Sequence, residues 1–319
     1  MKEENSSEQK SPKKSMKKKL INAAGFLLGV IIVAFMIKKF VENWQEIKPY
    51  LTDCSWLLFG ASAVLYGIAF LAIGWNWSHV VYHMDKTLTV REYLHLHMSS
   101  VLAKYIPGGI WNIVGKAYLC AQKGVEKSTT TASIILEYVF QIISSGLFFL
   151  FLLSLLLKDY FTTWMMVLMV LAVIVVCLLL PWCAAFGTRI LGRVFKEDLS
   201  GVELKAGYVY RMLLRYVGVW LFTGAGLTVM ALSFMRLDGL QAVSLILAYP
   251  VSWVAGFLSP SPNGMGVREG MLQLLLGAAY EAGPLLLIVL TTRIWTILGE
   301  VLAVGGFQLY YKLTERKRK

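Results

Sequence analysis

Apolar residues in this chain run in long blocks, not at the spacing of an amphipathic helix or the alternation of a strand. A bilayer core about 30 Å thick takes about 20 apolar residues per helix. Five blocks reach that length: Leu20–Val41, Ser55–Val81, Thr129–Leu157, Trp164–Phe186 and Pro284–Tyr311. Leu213–Met235 is a sixth once Arg215 is set at its interfacial end. The pattern predicts an all-α, polytopic membrane protein. The first block follows the lysine-rich segment Lys10 to Lys19, is longer than a signal-peptide core and has no A-x-A site after it. It reads as an uncleaved signal anchor.

Two further apolar regions are interrupted. Glu92–Ala121 contains Lys104-Tyr105-Ile106-Pro107-Gly108-Gly109-Ile110-Trp111-Asn112. Gln241–Tyr280 contains Pro262-Asn263-Gly264-Met265-Gly266-Val267-Arg268-Glu269. Proline removes a backbone donor and clashes with the preceding turn, and neighbouring glycines weaken a helix further. Each region is expected to form a broken, re-entrant helix hairpin. The alternative makes Gln241–Leu258 a full span.

Charge then sets an orientation. Seven lysines precede the first block, and Lys312, Arg316, Lys317, Arg318 and Lys319 follow the last. The positive-inside rule places both termini in the cytoplasm, which requires an even number of crossings. Six spans plus two hairpins satisfy it. Connections 42–54, 158–163 and 236–240 then lie outside with one basic residue each, while 82–91, 122–128 and 187–212 lie inside with two, two and five. The hairpins consequently enter from opposite sides. Paired breaks in opposite orientation point to an inverted repeat with a binding site near the midplane. The expected organisation is a basic tail (1–19), one transmembrane domain (20–311) and a second basic tail (312–319).

Over 319 residues, 57% are hydrophobic and 16% charged, with a formal net charge of +12. That balance excludes a secreted disulfide scaffold, a disordered chain and a nucleic-acid-binding globule. Most of the excess is topological, because the two ends hold so much of it. The cytoplasmic basic residues suit an anionic membrane surface. Cys54, Cys120, Cys177 and Cys183 form no C-x-x-C pair. P-loop, G-x-G-x-x-G and G-x-S-x-G patterns are absent from the sequence, and no cofactor or catalytic residue is assigned.

The informative charges are those inside membrane segments, which default to function because they are costly there. They are Lys104, Lys116, Glu137, Arg268, Glu269, Arg293 and Glu300, four cations against three anions. Free N–H groups at the second half of each broken helix, Ile110–Ile113 and Gly266–Glu269, favour an anion as well. Lys104 and Arg268 beside them suit a phosphate-bearing headgroup, with Glu269, Glu137 or Glu300 for any cationic part. Each of these residues also has a structural reading, as helix-to-helix neutralisation or as a snorkelling lysine. Glu137 with Gln141 suits either a headgroup or a helix–helix hydrogen bond. Trp111 stands apart from the interfacial tryptophans. His79 and His83, four residues apart, have zinc-compatible spacing near an interface, with His95 and His97 close by and no H-E-x-x-H pattern. No metal is assigned. Gly25-x-x-x-Gly29 is a helix-packing motif consistent with a homo-oligomer.

The two interrupted elements resemble those of the lysylphosphatidylglycerol synthase transmembrane-region family, flippase-like integral membrane proteins. Lys104 to Trp111 is similar to a K-Y-[IL]-P-G-x-[IVL]-W element, and Pro262 to Glu269 to a P-G-G-[LI]-G-x-[RK]-E element. Asn263 stands where glycine is usual, and asparagine tolerates positive φ. The resemblance covers residues 20–311 and implies lipid handling in a bacterial cell membrane. The substrate-binding residues it and the charge pattern suggest together are Lys104, Pro107, Gly108, Gly109, Trp111, Lys116, Glu137, Asn263, Gly264, Gly266, Arg268, Glu269, Arg293 and Glu300. Family members that aminoacylate phosphatidylglycerol carry a soluble domain after the membrane region. This chain, ending at Lys319, is expected to lack it. The expected function is a flippase or translocase for an anionic or headgroup-modified phospholipid or lipid-linked precursor. The alternatives are a membrane-embedded transferase related to lysylphosphatidylglycerol synthesis, or a scaffold for a separate synthase or glycosyltransferase.

Overall fold

The computed structural model describes residues 40–105, 111–156, 205–259 and 261–316, with isolated helical positions at 34, 37, 38 and between 164 and 182. Of the predicted spans Leu20–Val41 and Trp164–Phe186 only scattered helical positions are described, and Gly25, Gly29, Pro107, Gly108 and Gly109 lie outside the described residues. Among the described residues the chain is helical, with no strand. In order come α1 (Trp44–Thr52), α2 (Trp56–Met84), α3 (Val90–Ser100), a 3-10 turn (Val101–Tyr105), α4 (Trp111–Gln122) and α5 (Lys127–Leu156). Then follow α6 (Ala206–Leu232), α7 (Gly239–Leu258), a second 3-10 turn (Pro262–Gly264), α8 (Val267–Leu276) and α9 (Ala282–Arg316).

Five of these, α2, α5, α6, α7 and α9, are long and apolar enough to cross a membrane. Four coincide with predicted spans. α6 begins at Ala206, ahead of the apolar run that announces it, so the expected connection at 187–212 is shorter than the hydropathy suggests. The predicted outer connection at 42–54 holds α1, which buries Ile47 and packs on α9. α9 continues past Tyr311 to Arg316, through residues that favour helix.

The fifth, α7, settles how the second interrupted region runs. At 20 residues it is about 30 Å long, enough to cross. The chain nevertheless turns back. Gln241 Nε2, at its start, donates to Ala279 O at 3.1 Å, and Tyr280 OH donates to Gln241 O at 2.8 Å. α7 and α8 therefore form a hairpin whose ends meet. In the first hairpin Tyr93, near the start of α3, shares a buried cluster with Cys120, near the end of α4. Each hairpin opens on a capping box, Thr89 with Glu92 and Asp238 with Gln241, which satisfies backbone donors that a helix start leaves free.

The hairpins point in opposite directions. α2 and α6 lie antiparallel: Ser55 N donates to Ser233 O at 2.8 Å at one end, and His83 stacks on Tyr208 at 4.1 Å at the other. The first hairpin opens where α2 ends and the second where α6 ends. Their two 3-10 turns touch in between. Exchanging α2 with α6, α3 with α7, α4 with α8 and α5 with α9 maps the helix contacts onto one another. α5 on α7 matches α9 on α3, and α9 on α2 matches α5 on α6. The described helices thus form two inverted halves, each a long helix, a broken pair and a second long helix. α1 on α9 is the contact without a counterpart among the described residues.

The interior sets polar side chains among a mainly apolar core, and the outer surface is apolar. Asn76, Ser78, Ser133, Ser144, Thr223 and Ser252 are buried, while Leu57, Ile68, Phe151, Leu214, Ile294 and Leu309 are exposed. With lipid outside there is no hydrophobic drive between helices, so close contact carries the association. At the α2–α9 crossing a Cβ on Gly299 would sit 2.6 Å from Tyr66 Cδ1 and 2.7 Å from Ala63 O, whereas at Gly305 it would meet nothing within 4 Å. Gly299→Leu is therefore expected to lose about 1–3 kcal/mol to overpacking. Gly305→Leu should lose nothing. Thermal unfolding in detergent compares the two, and equal stability would refute the crossing as a packing determinant.

Candidate functional site

A cavity of about 380 Å³ lies where the two breaks meet. The first half lines it with Tyr66, Phe70, His97, Lys104, Lys116 and Glu137, and the second with Trp253, Gly256, Asn263, Gly264 and Arg268. Its floor is ionic and one wall is aromatic. Tyr138 stacks on Phe257 at 4.5 Å, and Phe257 on Trp253 at 5.4 Å.

Six intramembrane charges form three pairs. Lys104 Nζ donates to Glu300 Oε1 at 2.6 Å. Tyr66 OH donates to the same oxygen at 3.1 Å and Tyr105 OH to Oε2 at 2.8 Å, so a long-range hub ties α2, the first break and α9 together. Lys116 Nζ donates to Glu137 Oε2 at 2.7 Å and lies 4.3 Å from the centre of the Trp77 ring. Both side chains of that pair are almost fully buried, at 4% exposure each. Arg293 Nε donates to Glu269 Oε1.

Arg293 also explains how the second break survives at membrane depth. Asn263 (φ 51°), Gly264 (φ 65°) and Gly266 (φ 80°) are left-handed and end the helical hydrogen bonding. The freed carbonyls of Asn263 and Gly264 accept from Arg293 Nη1 at 3.3 Å and Nη2 at 3.0 Å. Unpaired backbone there would cost several kcal/mol per group, on the order of a lost hydrogen bond in hydrocarbon. Asn263 adopts the positive φ that its side chain tolerates. Gly264 is needed for approach, since a Cβ there would lie 2.6 Å from Gly256 Cα.

Arg268 is the cation left over. Among the described residues it makes no salt bridge, and its Nε has no hydrogen-bond partner. Its guanidinium carbon lies 5.7 Å from the Trp253 ring centre, and its stem passes Gly256 so closely that a Cβ there would be 2.4 Å from Arg268 Cγ. A half-buried guanidinium beside an aromatic face, opening on a cavity, carries a standing positive charge with free donors.

Of the residues proposed from sequence, Lys104, Lys116, Glu137, Asn263, Gly264 and Arg268 line the cavity. Glu269, Arg293 and Glu300 stand behind it as partners. Gly266 caps α8, and Trp111 is 45% exposed and away from the lining. Pro107, Gly108 and Gly109 lie outside the described residues. The four histidines part company: His79 meets Trp75 edge to face, His83 stacks on Tyr208 and His95 stacks on Tyr311. His97 turns inward, with Nδ1 4.0 Å from Glu137 Oε1. Tyr66, Tyr138 and Trp253 were missed. Trp253 could have been found, because a tryptophan in mid-segment is out of place in an interfacial belt.

Long apolar helices around two inverted broken hairpins, with ion pairs and a polar cavity at their meeting, define an integral membrane protein. The chain belongs to the lysylphosphatidylglycerol synthase TM region family, whose profile matches residues 22–303. Membership relates it to lysylphosphatidylglycerol synthesis and implies a lipid-related substrate in the membrane. No curated protein and no solved structure matches it.

Removing one member of a buried pair strands the other. Arg293→Met should cost about 3–5 kcal/mol, because it leaves Glu269 without its cation. Glu269→Leu with Arg293→Met should recover part of this, and not all, since the carbonyls of Asn263 and Gly264 stay bare. A double-mutant cycle on thermal stability measures the coupling, and strictly additive losses would contradict the pairing.

Proposed function

We propose that the protein is a lipid translocase of the bacterial cytoplasmic membrane, with the headgroup of an anionic phospholipid or lipid-linked precursor held in the cavity between the hairpins. The observation that carries this reading is Arg268, a guanidinium that faces the cavity with no carboxylate paired to it. A phosphate oxygen satisfies such a group with short, charge-assisted hydrogen bonds. Lys104 and Lys116 line the same space with their charges already matched, so they shape the field around the phosphate without adding a full charge. The aromatic wall of Tyr138, Phe257 and Trp253 suits the glycerol and first methylenes of a lipid. Family membership supports a lipid as the cargo.

The orientation belongs to the same proposal. Lysines before the first span and the basic run after Tyr311 support cytoplasmic termini. The first hairpin then opens to the cytoplasm and the second to the outside. A headgroup at the junction sits between two oppositely directed hairpins, as alternating access requires.

The test is transport by the purified protein. In vesicles carrying a fluorescent phosphatidylglycerol, the wild type should move label between leaflets. Arg268→Met should slow this about tenfold or more, the loss of a charged hydrogen bond worth about 1.5–3 kcal/mol. Lys312→Ala, on the exposed end of α9, serves as the control and should transport at the wild-type rate. Unchanged transport by Arg268→Met would remove the site assignment.

A further inference from the structure

The three carboxylates at the centre are not equivalent. Glu300 has both oxygens engaged, by Lys104 and Tyr66 on one and Tyr105 on the other. Glu269 has one oxygen on Arg293 and the other buried without a hydrogen bond among the described residues, and it borders a void of about 10 Å³, room for about one water. Glu137 lines the large cavity, as do Lys116 and His97, and all three are 3% exposed. Its Oε2 is held by Lys116, while Oε1 faces His97 Nδ1 at 4.0 Å, too far for a hydrogen bond. That Nδ1 is buried with no hydrogen-bond partner among the described residues. With the ring proton of His97 on Nε2, Nδ1 is an unbonded acceptor beside a carboxylate, and one proton between them forms a hydrogen bond once the pair closes from 4.0 Å.

The surroundings of Glu137 are otherwise sparse in charge. From α4 it meets Lys116, behind which Cys120 follows on the same helix, and from α3 it meets His97, which also lies within electrostatic reach of Lys104 in the first break. From α6 the hydroxyl of Tyr216 lies within electrostatic reach, and Tyr138 is its neighbour on α5. α2 supplies the Trp77 ring against Lys116. α7 contributes the aromatic rings of Trp253 and Phe257 and no titratable group.

Resting on the reading of the cavity as an oxyanion site, we propose that Lys116, Glu137 and His97 form a second anion subsite opened by one proton. A headgroup with two negative charges, a phosphomonoester or diphosphate, binds together with that proton. A singly charged phosphodiester binds without it. The charge balance gives the reason. With the other pairs closed, the cavity holds one net positive charge, on Arg268, which one negative charge cancels. A second negative charge has no counterpart until the Lys116 ammonium leaves Glu137 for it. The stranded carboxylate is then buried without a cation, and such a group takes up a proton instead of remaining charged. One proton enters from solvent onto Glu137, whose new O–H donates to His97 Nδ1. Lys116 and Arg268 together cancel the dianion, and the complex is neutral.

Sulfate and methyl sulfate separate the two cases, because their charges of two and one stay fixed between about pH 6 and 8. Binding of each to the full-length protein in detergent is measured across that range. Sulfate should tighten by up to about tenfold for each pH unit lowered, the limit for one linked proton. Methyl sulfate should stay level. In Glu137→Gln, sulfate binding should lose its pH dependence. Equal slopes for the two wild-type anions would overturn the subsite, and that comparison stands even if the variant does not fold. A sulfate slope that persists in Glu137→Gln overturns it too. Failure of both anions and of dihexanoyl phosphatidic acid to bind the wild type would remove the oxyanion reading itself, and this inference with it. Dihexanoyl phosphatidic acid should displace sulfate at far lower concentration than inorganic phosphate. Equal potency would assign the cavity to the free ion and overturn the lipid reading.

Discussion

A carboxylate at membrane depth without a cation is not sustainable, and the centre of this protein is arranged around that constraint. Desolvating either member of an ion pair costs several kcal/mol, which only close geometry and further hydrogen bonds repay. Glu137, Glu269 and Glu300 each meet a cation, and each pairing joins separate elements: α5 to α4, α8 to α9, and α9 to the first break. The hairpins cannot shift relative to the long helices without parting a pair. Position in the hairpins, and so the shape of the cavity between them, follows from charge neutralisation as much as from packing.

The two inverted halves solve this problem with the signs exchanged. In the first half the returning arm of the hairpin carries the cation, Lys116, and the following long helix the anion, Glu137. In the second half the returning arm carries Glu269 and the long helix Arg293. Glu137 and Arg293 fall at nearly the same depth in their helices, the eleventh residue of α5 and the twelfth of α9. The repeat keeps the location of a brace and not its chemistry. Where the residues differ, so does the surrounding duty: Arg293 also holds the carbonyls of the broken turn, whereas among the described residues Lys116 donates to Glu137 alone.

Much of this architecture is legible along the chain. Block length predicts the long helices, the Pro/Gly interruptions predict the breaks, and loop charge predicts that the hairpins oppose each other. Even the positive φ of Asn263 follows from its residue type. The count of intramembrane charges also yields the net positive of one. Sequence does not say which cation is the unpaired one, because Lys104 finds Glu300 across 196 residues and nothing local to either records it. Tyr66 and Tyr138 are silent for a related reason. A tyrosine within a span looks like any other apolar residue until the helix rotation turns its hydroxyl inward. Boundaries fail in a third way: α6 and α9 outrun their apolar cores, since helical hydrogen bonding continues through Arg211, Lys312 and Glu315 where lipid no longer demands it.

The asymmetry between the two braces bears on which half can move. Arg293 cannot release Glu269 without also exposing two backbone carbonyls, so the second hairpin is locked by three interactions on one side chain. Under the proposed subsite, Lys116 exchanges Glu137 for another anion and leaves only the carboxylate to be dealt with, with the imidazole of His97 beside it. Both Lys116 and Glu137 touch the cavity, whereas Arg293 does not line it. On the proposed binding mode, a ligand entering the cavity meets Arg268 on the second hairpin and parts a brace only in the first. An internal repeat with identical braces would respond equally on both sides. Reversing the charges in one half, and tying that half's cation to its own broken turn, leaves the same fold with one brace held by a single pair and one held by three interactions.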